Sequence, residues 1–157
     1  MAYTDSDIKK LISCQKEIVT VPKGLKPERG SFRDSFTLKS SDGQYHFNCF
    51  IRELVEFPEN FSIGLDYNPK EEKGVIKLLR FNGMHGGHIE FPHHAHCHIH
   101  QATAFSINNG LDPTNKATET NDYTTLSEAI QFFLRYVNVN SGDALKYFPP
   151  PRLDLFS

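Results

Sequence analysis

Seven of the chain's eight histidines fall between His85 and Gln101, at positions 85, 88, 93, 94, 96, 98 and 100. Imidazole is a poor core filler, because each ring brings two polar nitrogens that need partners. A run this dense points instead to proton transfer, phosphate binding or metal ligation.

Proton transfer suits the chain's own inventory. RNA cleavage by attack of the 2′-hydroxyl needs one base, one acid and a cation beside the phosphate, and two histidines titrating near neutrality can serve. His96 and His98 are the expected base and acid, in unassigned order. Arg80, just ahead of a glycine-rich break, is the expected phosphate clamp, because its fork matches two phosphate oxygens. His85 would share the phosphorane charge with Arg80, and His88, His94, His100 and Asn82 would support the set. This mechanism uses no cofactor.

Metal ligation is the alternative. Zinc or another transition metal would be held by neutral imidazoles of His96, His98, His100 and His88. Same-face neighbours on a strand lie about 7 Å apart, so two can converge on one ion and three cannot without a bulge. Glu90 is the sole acid between Lys73 and Leu111, which leaves few carboxylates for a second shell. A third reading needs no chemistry at all: a histidine face that binds a partner protein.

His96-Cys-His98-Ile-His100-Gln-Ala102 resembles the alternating signature of histidine-triad nucleotide-binding proteins, in which the middle histidine, here His98, attacks an α-phosphate. Gln101 stands where that signature is apolar. The order Leu79-Arg80-Phe-Asn82-Gly83, His85-Gly-Gly-His88, Phe91-Pro-His93-His94-Ala-His96 resembles TumE-like toxins and related His-rich small bacterial toxin–antitoxin proteins. The resemblance spans residues 78–101. It implies a compact α+β protein, a toxin acting on RNA, and an antitoxin-like partner encoded beside it. Asn82 stands where that pattern carries Asp, so no carboxylate is supplied at that step, and His98-Ile-His100 lies beyond the pattern.

The elements that must position these residues follow from periodicity. Thr4 can cap a helix over 4–19, with Asp5 and Asp7 in the first turn and Ile8, Leu11, Ile12 and Ile18 on one face. Val21–Arg29 is a connector broken by Pro and Gly. It carries Lys23, Lys26 and Arg29, either as a solvated link or as a basic arm for phosphate or an acidic partner. Strands are expected at 31–39, 44–57, 61–67 and 75–81, with Asp42-Gly43 as a hairpin turn. In the second of these, Tyr45, Phe47, Cys49 and Ile51 share one face, and His46, Asn48, Phe50 and Arg52 share the other. From about Ala95 a further strand would place His94, His96, His98 and His100 on one face. Residues 106–124 read as a long polar loop, and Thr125-Leu-Ser-Glu128 as a capping box opening a helix to 138. The Pro-rich tail from Phe148 reads as a surface strap, or as a docking peptide for a partner or a second copy.

The expectation is one α+β domain of 157 residues: an antiparallel meander sheet of about five strands with an N-terminal and a C-terminal helix packed on it. No apolar run reaches the roughly 18 residues of a membrane span. The start lacks the basic and apolar segments of a signal peptide, so a cytoplasmic protein is expected. Three distant cysteines, Cys14, Cys49 and Cys97, give no disulfide framework. Net charge is −2, but residues 1–40 hold eight Lys/Arg against five Asp/Glu, and the rest nine against fourteen.

Overall fold

The computed structural model describes residues 2–84, 96–112 and 116–151. Its first helix, α1 (Asp5–Ser13), starts where the sequence places it. The Thr4 hydroxyl accepts from Asp7 N at 3.0 Å, and the Asp7 carboxylate accepts from Thr4 N at 2.9 Å. The helix buries Ile8, Leu11 and Ile12 and stops at Cys14, short of the expected end at 19. Lys16–Thr20 instead forms β1, antiparallel to residues 37–40. The run Ile18-Val19-Thr20 is β-branched throughout, which favours a pleated surface over a helix.

The connector that follows contains a short strand, β2 (Lys26–Glu28). The meander proper is β3 (Ser31–Ser40), β4 (His46–Leu54), β5 (Phe61–Asn68), β6 (Ile76–Asn82) and β7 (His98–Gln101), each antiparallel to the next. These are the five strands expected. Three short edge strands enlarge the sheet to eight: β1 and β2 both pair with β3, and β8 (Ala117–Glu119) pairs with β7. The β3–β4 turn is closed as Asp-Gly chemistry requires. Gly43 has φ +78°, and Asp42 accepts from Ser40 Oγ and Gln44 N.

Residues 106–124 are not a structureless loop. They hold the end of α2 (Ala104–Asn108) and all of β8, because Thr103 caps the helix at Ser106 N and β7 offers an open edge. The second capping box opens α3 (Leu126–Tyr136) as expected, and α4 (Ser141–Tyr147) follows. No helix among the described residues is long and apolar enough to cross a membrane.

One face of the sheet is the core. Phe36, Leu38, Phe47, Cys49, Ile51, Ile63, Leu65 and Phe81 are all buried there, together with Ile8 and Leu11 of α1 and Ala129 and Phe133 of α3. Phe81 is its centre, meeting Tyr123, Phe132, Phe133 and Tyr136 at ring separations of 5.4–5.5 Å. Lys16 pins both helices to β1. It is fully buried, and Nζ donates to the carbonyls of Ile12, Cys14 and Val137 at 2.7–2.8 Å, above the Phe47 ring. Burial pushes its ammonium down to about 8, yet only the charged form has a hydrogen for each of the three carbonyls.

Lys16→Met keeps the aliphatic stem and orphans those three carbonyls. It is expected to lower the unfolding free energy by about 3 kcal/mol or more. Urea denaturation monitored by circular dichroism measures this, and an unchanged midpoint would show that the carbonyls find other partners.

Candidate functional site

The helices cover one face of the sheet, so the chemistry-bearing side chains collect on the other. Residues directly opposite one another on neighbouring strands point the same way. The register therefore lays two rows across this open face. The first runs from Lys26 through Arg33 and Arg52 to Ser62, Asn82 and His98. The second runs from Ser35 through Phe50 and Gly64 to Arg80 and His100. Arg80 thus lies opposite His100, and Asn82 opposite His98.

The first row is a continuous hydrogen-bonded chain. Arg52 Nη2 donates to Ser62 Oγ at 3.2 Å, and Ser62 Oγ donates to Asn82 Oδ1 at 2.8 Å. Asn82 Nδ2 meets His98 Nε2 at 3.2 Å, and His98 Nδ1 meets the His96 carbonyl at 2.8 Å. A guanidinium has no acceptor and a carbonyl no donor, so both ends of the chain are fixed. Read inward, they put the hydrogen of His98 on Nδ1 and leave Nε2 to accept from Asn82. His98 is fully buried, and Asn82 is 6% exposed. Tyr123 closes the site from beneath, its hydroxyl bonded to the backbone carbonyls of both Asn82 and His98 at 2.8 and 2.9 Å.

The second row is the accessible one. Arg80 and His100 are half-buried. The Arg80 guanidinium carbon stands 6.0 Å from the centre of the Phe50 ring. That ring lies across Gly64, where an added Cβ would collide with it. The His98 and His100 rings meet edge to face at 5.0 Å. Arginines crowd the middle of this face, where burial first, then the charges of Arg33 and Arg80, hold the Arg52 guanidinium below its ordinary value, while Glu119 on β8 stands opposite His98. Burial lifts the Asp66 carboxyl above its ordinary value, although Lys77 and Arg80 oppose this.

The expected site is therefore brought together in part. Arg80, Asn82, His98 and His100 converge. His96 does not join them on the strand face, because β7 begins at His98 and His96 is exposed in the bend before it, its carbonyl engaged by His98. His85, His88, His93 and His94 lie outside the described residues. His46, on β4 opposite Asn68, is at the far end of the sheet. For the metal alternative, no group of three His, Cys, Asp or Glu side chains among the described residues is placed to hold an ion. Sequence reasoning missed Arg52, Ser62 and Tyr123. Strand alternation alone puts Arg52 and Phe50 on one face; Tyr123 lies between elements and has no such signal.

At pH 7.5 the ring nitrogens of His98 are expected to resonate as the Nδ1–H tautomer, with Nε2 in the unprotonated ¹⁵N range. Long-range ¹H–¹⁵N spectra measure this, and Asn82→Leu is expected to change the Nε2 shift while the Nδ1 bond persists. A pyrrole-type Nε2 in the wild type would contradict the donor order deduced here.

Against protein-family models, curated proteins and solved structures alike, the chain has no match.

Proposed function

We propose that this protein is a metal-independent, histidine-based ribonuclease of toxin type, acting on RNA phosphodiesters at the open face of the sheet. The observation that carries the reading is the pairing of Arg80 with His100 on adjacent strands, with further arginines on the same face. A fork donor beside an imidazole supplies the cation and one of the two proton-transfer groups that this chemistry requires.

One group takes the proton of the 2′-hydroxyl. The 2′-oxygen bonds to phosphorus, and the 5′-oxygen leaves with a proton from the second group, giving a 2′,3′-cyclic phosphate. His100 is assigned as one of the two proton-transfer groups, and Arg80 neutralises the charge gathering on the phosphorane oxygens. His96 stands exposed in the bend before β7 and not on this strand face, so the second group is assigned to no described residue. His98 is buried with both ring nitrogens bonded to protein, so its part is to hold the position of His100 rather than to exchange protons with substrate. A cytoplasmic setting and a neutralising antitoxin-like partner belong to the same reading.

A second reading, RNA binding without cleavage, is favoured by the burial of His98 and by the cationic row, which suits a phosphate backbone whether or not chemistry follows.

Protein prepared without nickel is expected to cleave RNA in EDTA and to leave 2′,3′-cyclic phosphate ends. Arg80→Ala and His100→Ala are each expected to slow cleavage by about 10² or more, with circular dichroism unchanged. Cleavage lost in EDTA and restored by stoichiometric zinc would favour the metal-dependent alternative instead. Binding without cleavage would leave the second reading in front.

A further inference from the structure

We propose that the open face binds single-stranded RNA as a track, with a base stacked on Phe50 and the incoming backbone held by the basic connector before β3. The inference rests on the RNA reading of this face and adds to it the substrate class and a second subsite.

Three observations carry it. First, the Phe50 ring is laid across Gly64, with its atoms occupying the space a Cβ would fill. The ring is half-buried, lines the cleft described next, and has the Arg80 guanidinium carbon 6.0 Å from its centre. An aromatic face next to an arginine is what an unpaired base stacks on, and bases inside a duplex offer no such face. Second, a cleft of about 420 Å³ opens directly beside Phe50, its lining holding three cations, Lys23, Lys26 and Arg33, against two acids, Glu28 and Asp34. The connector is held in place there: the Asp34 carboxylate accepts from Lys23 N at 3.2 Å and Gly24 N at 3.1 Å. Those amides engage Asp34, one of the two acids in the lining. Third, Lys26, Arg33 and Arg52 stand opposite one another on consecutive strands. Like charges placed so are destabilising by themselves, and a polyanion crossing them relieves the repulsion.

From β2 to β7 the track crosses five strand spacings, about 24 Å. That suits a strand of a few nucleotides, within the site sizes of about 4–16 nucleotides that such surfaces use. It delivers one phosphodiester to Arg80 and His100 after the base on Phe50.

The probe is a fluorescein-labelled oligouridylate of about 12 nucleotides with 2′-O-methyl sugars, which reports binding without cleavage. An RNA duplex of equal length is the control. Anisotropy titrations are expected to show tighter binding of the single strand. Phe50→Leu, which still covers Gly64, is expected to weaken it by about 5- to 100-fold, whereas Phe50→Trp keeps or strengthens it. Lys26→Gln with Arg33→Gln is expected to lower the salt slope by about 0.7 per lost phosphate contact. Equal affinity for the duplex, or a Phe50→Leu protein that binds as the wild type does, would overturn the track. Phe50-dependent binding by a protein that never cleaves ribose RNA keeps the track and removes the ribonuclease. Cleavage indifferent to Phe50 does the reverse, and no RNA binding at all removes both.

Discussion

A guanidinium can only donate hydrogen bonds, and the open face of this sheet is ordered by that restriction. Arg52 donates a hydrogen bond to Ser62, which must then donate its own to Asn82, whose amide must turn its nitrogen toward His98. The chain ends on a backbone carbonyl, which can only accept. A polar chain so far from bulk water is costly unless each member is satisfied. Here the direction set at β4 is transmitted across three further strands to an imidazole, and the ring it orients packs against His100.

That order depends on strand register. Side chains alternate faces every residue, so a one-residue slip of β7 against β6 would send His98 and His100 into the core and bring Ile99 out. The core resists the slip. Phe81 and Ile99 are opposite each other on the covered face, and Phe81 is held among four aromatic rings. Tyr123 adds a direct tie, one hydroxyl bonded to backbone carbonyls of both strands. At the other side of the sheet, Lys16 performs the analogous task for the two helices, joining their final carbonyls to β1. The packed core and the polar row thus sit on opposite faces of one sheet and are coupled through its register.

The division explains why the two central histidines differ in character. His98 faces Asn82 inside the polar chain and is sealed from solvent, whereas His100 faces Arg80 and is only half-buried. Residues that alternation alone treats as equivalent are separated by what stands across from them on β6.

By itself the sequence determined the α+β class, the five-strand meander, both capping boxes and the Asp42-Gly43 turn, because each is written in local periodicity and turn chemistry. It also brought Arg80 and the histidine strand into one site, and it sorted Phe50 and Arg52 from Phe47, Cys49 and Ile51. Tertiary structure decided the rest. The helix ended at Ser13, where Lys16 pairs with β3 and its ammonium joins the nearby carbonyls of Ile12 and Cys14 to the distant one of Val137. Residues 104–108 and 117–119 took up structure because a cap and an open strand edge were available to them. Which histidine is sealed and which is half-buried, and the entry of Arg52, Ser62 and Tyr123 into the site, depend on hydrogen-bonded pairs up to 41 residues apart, Asn82 with Tyr123. No local pattern encodes such pairs, because hydrogen-bond direction and burial are properties of neighbours in space.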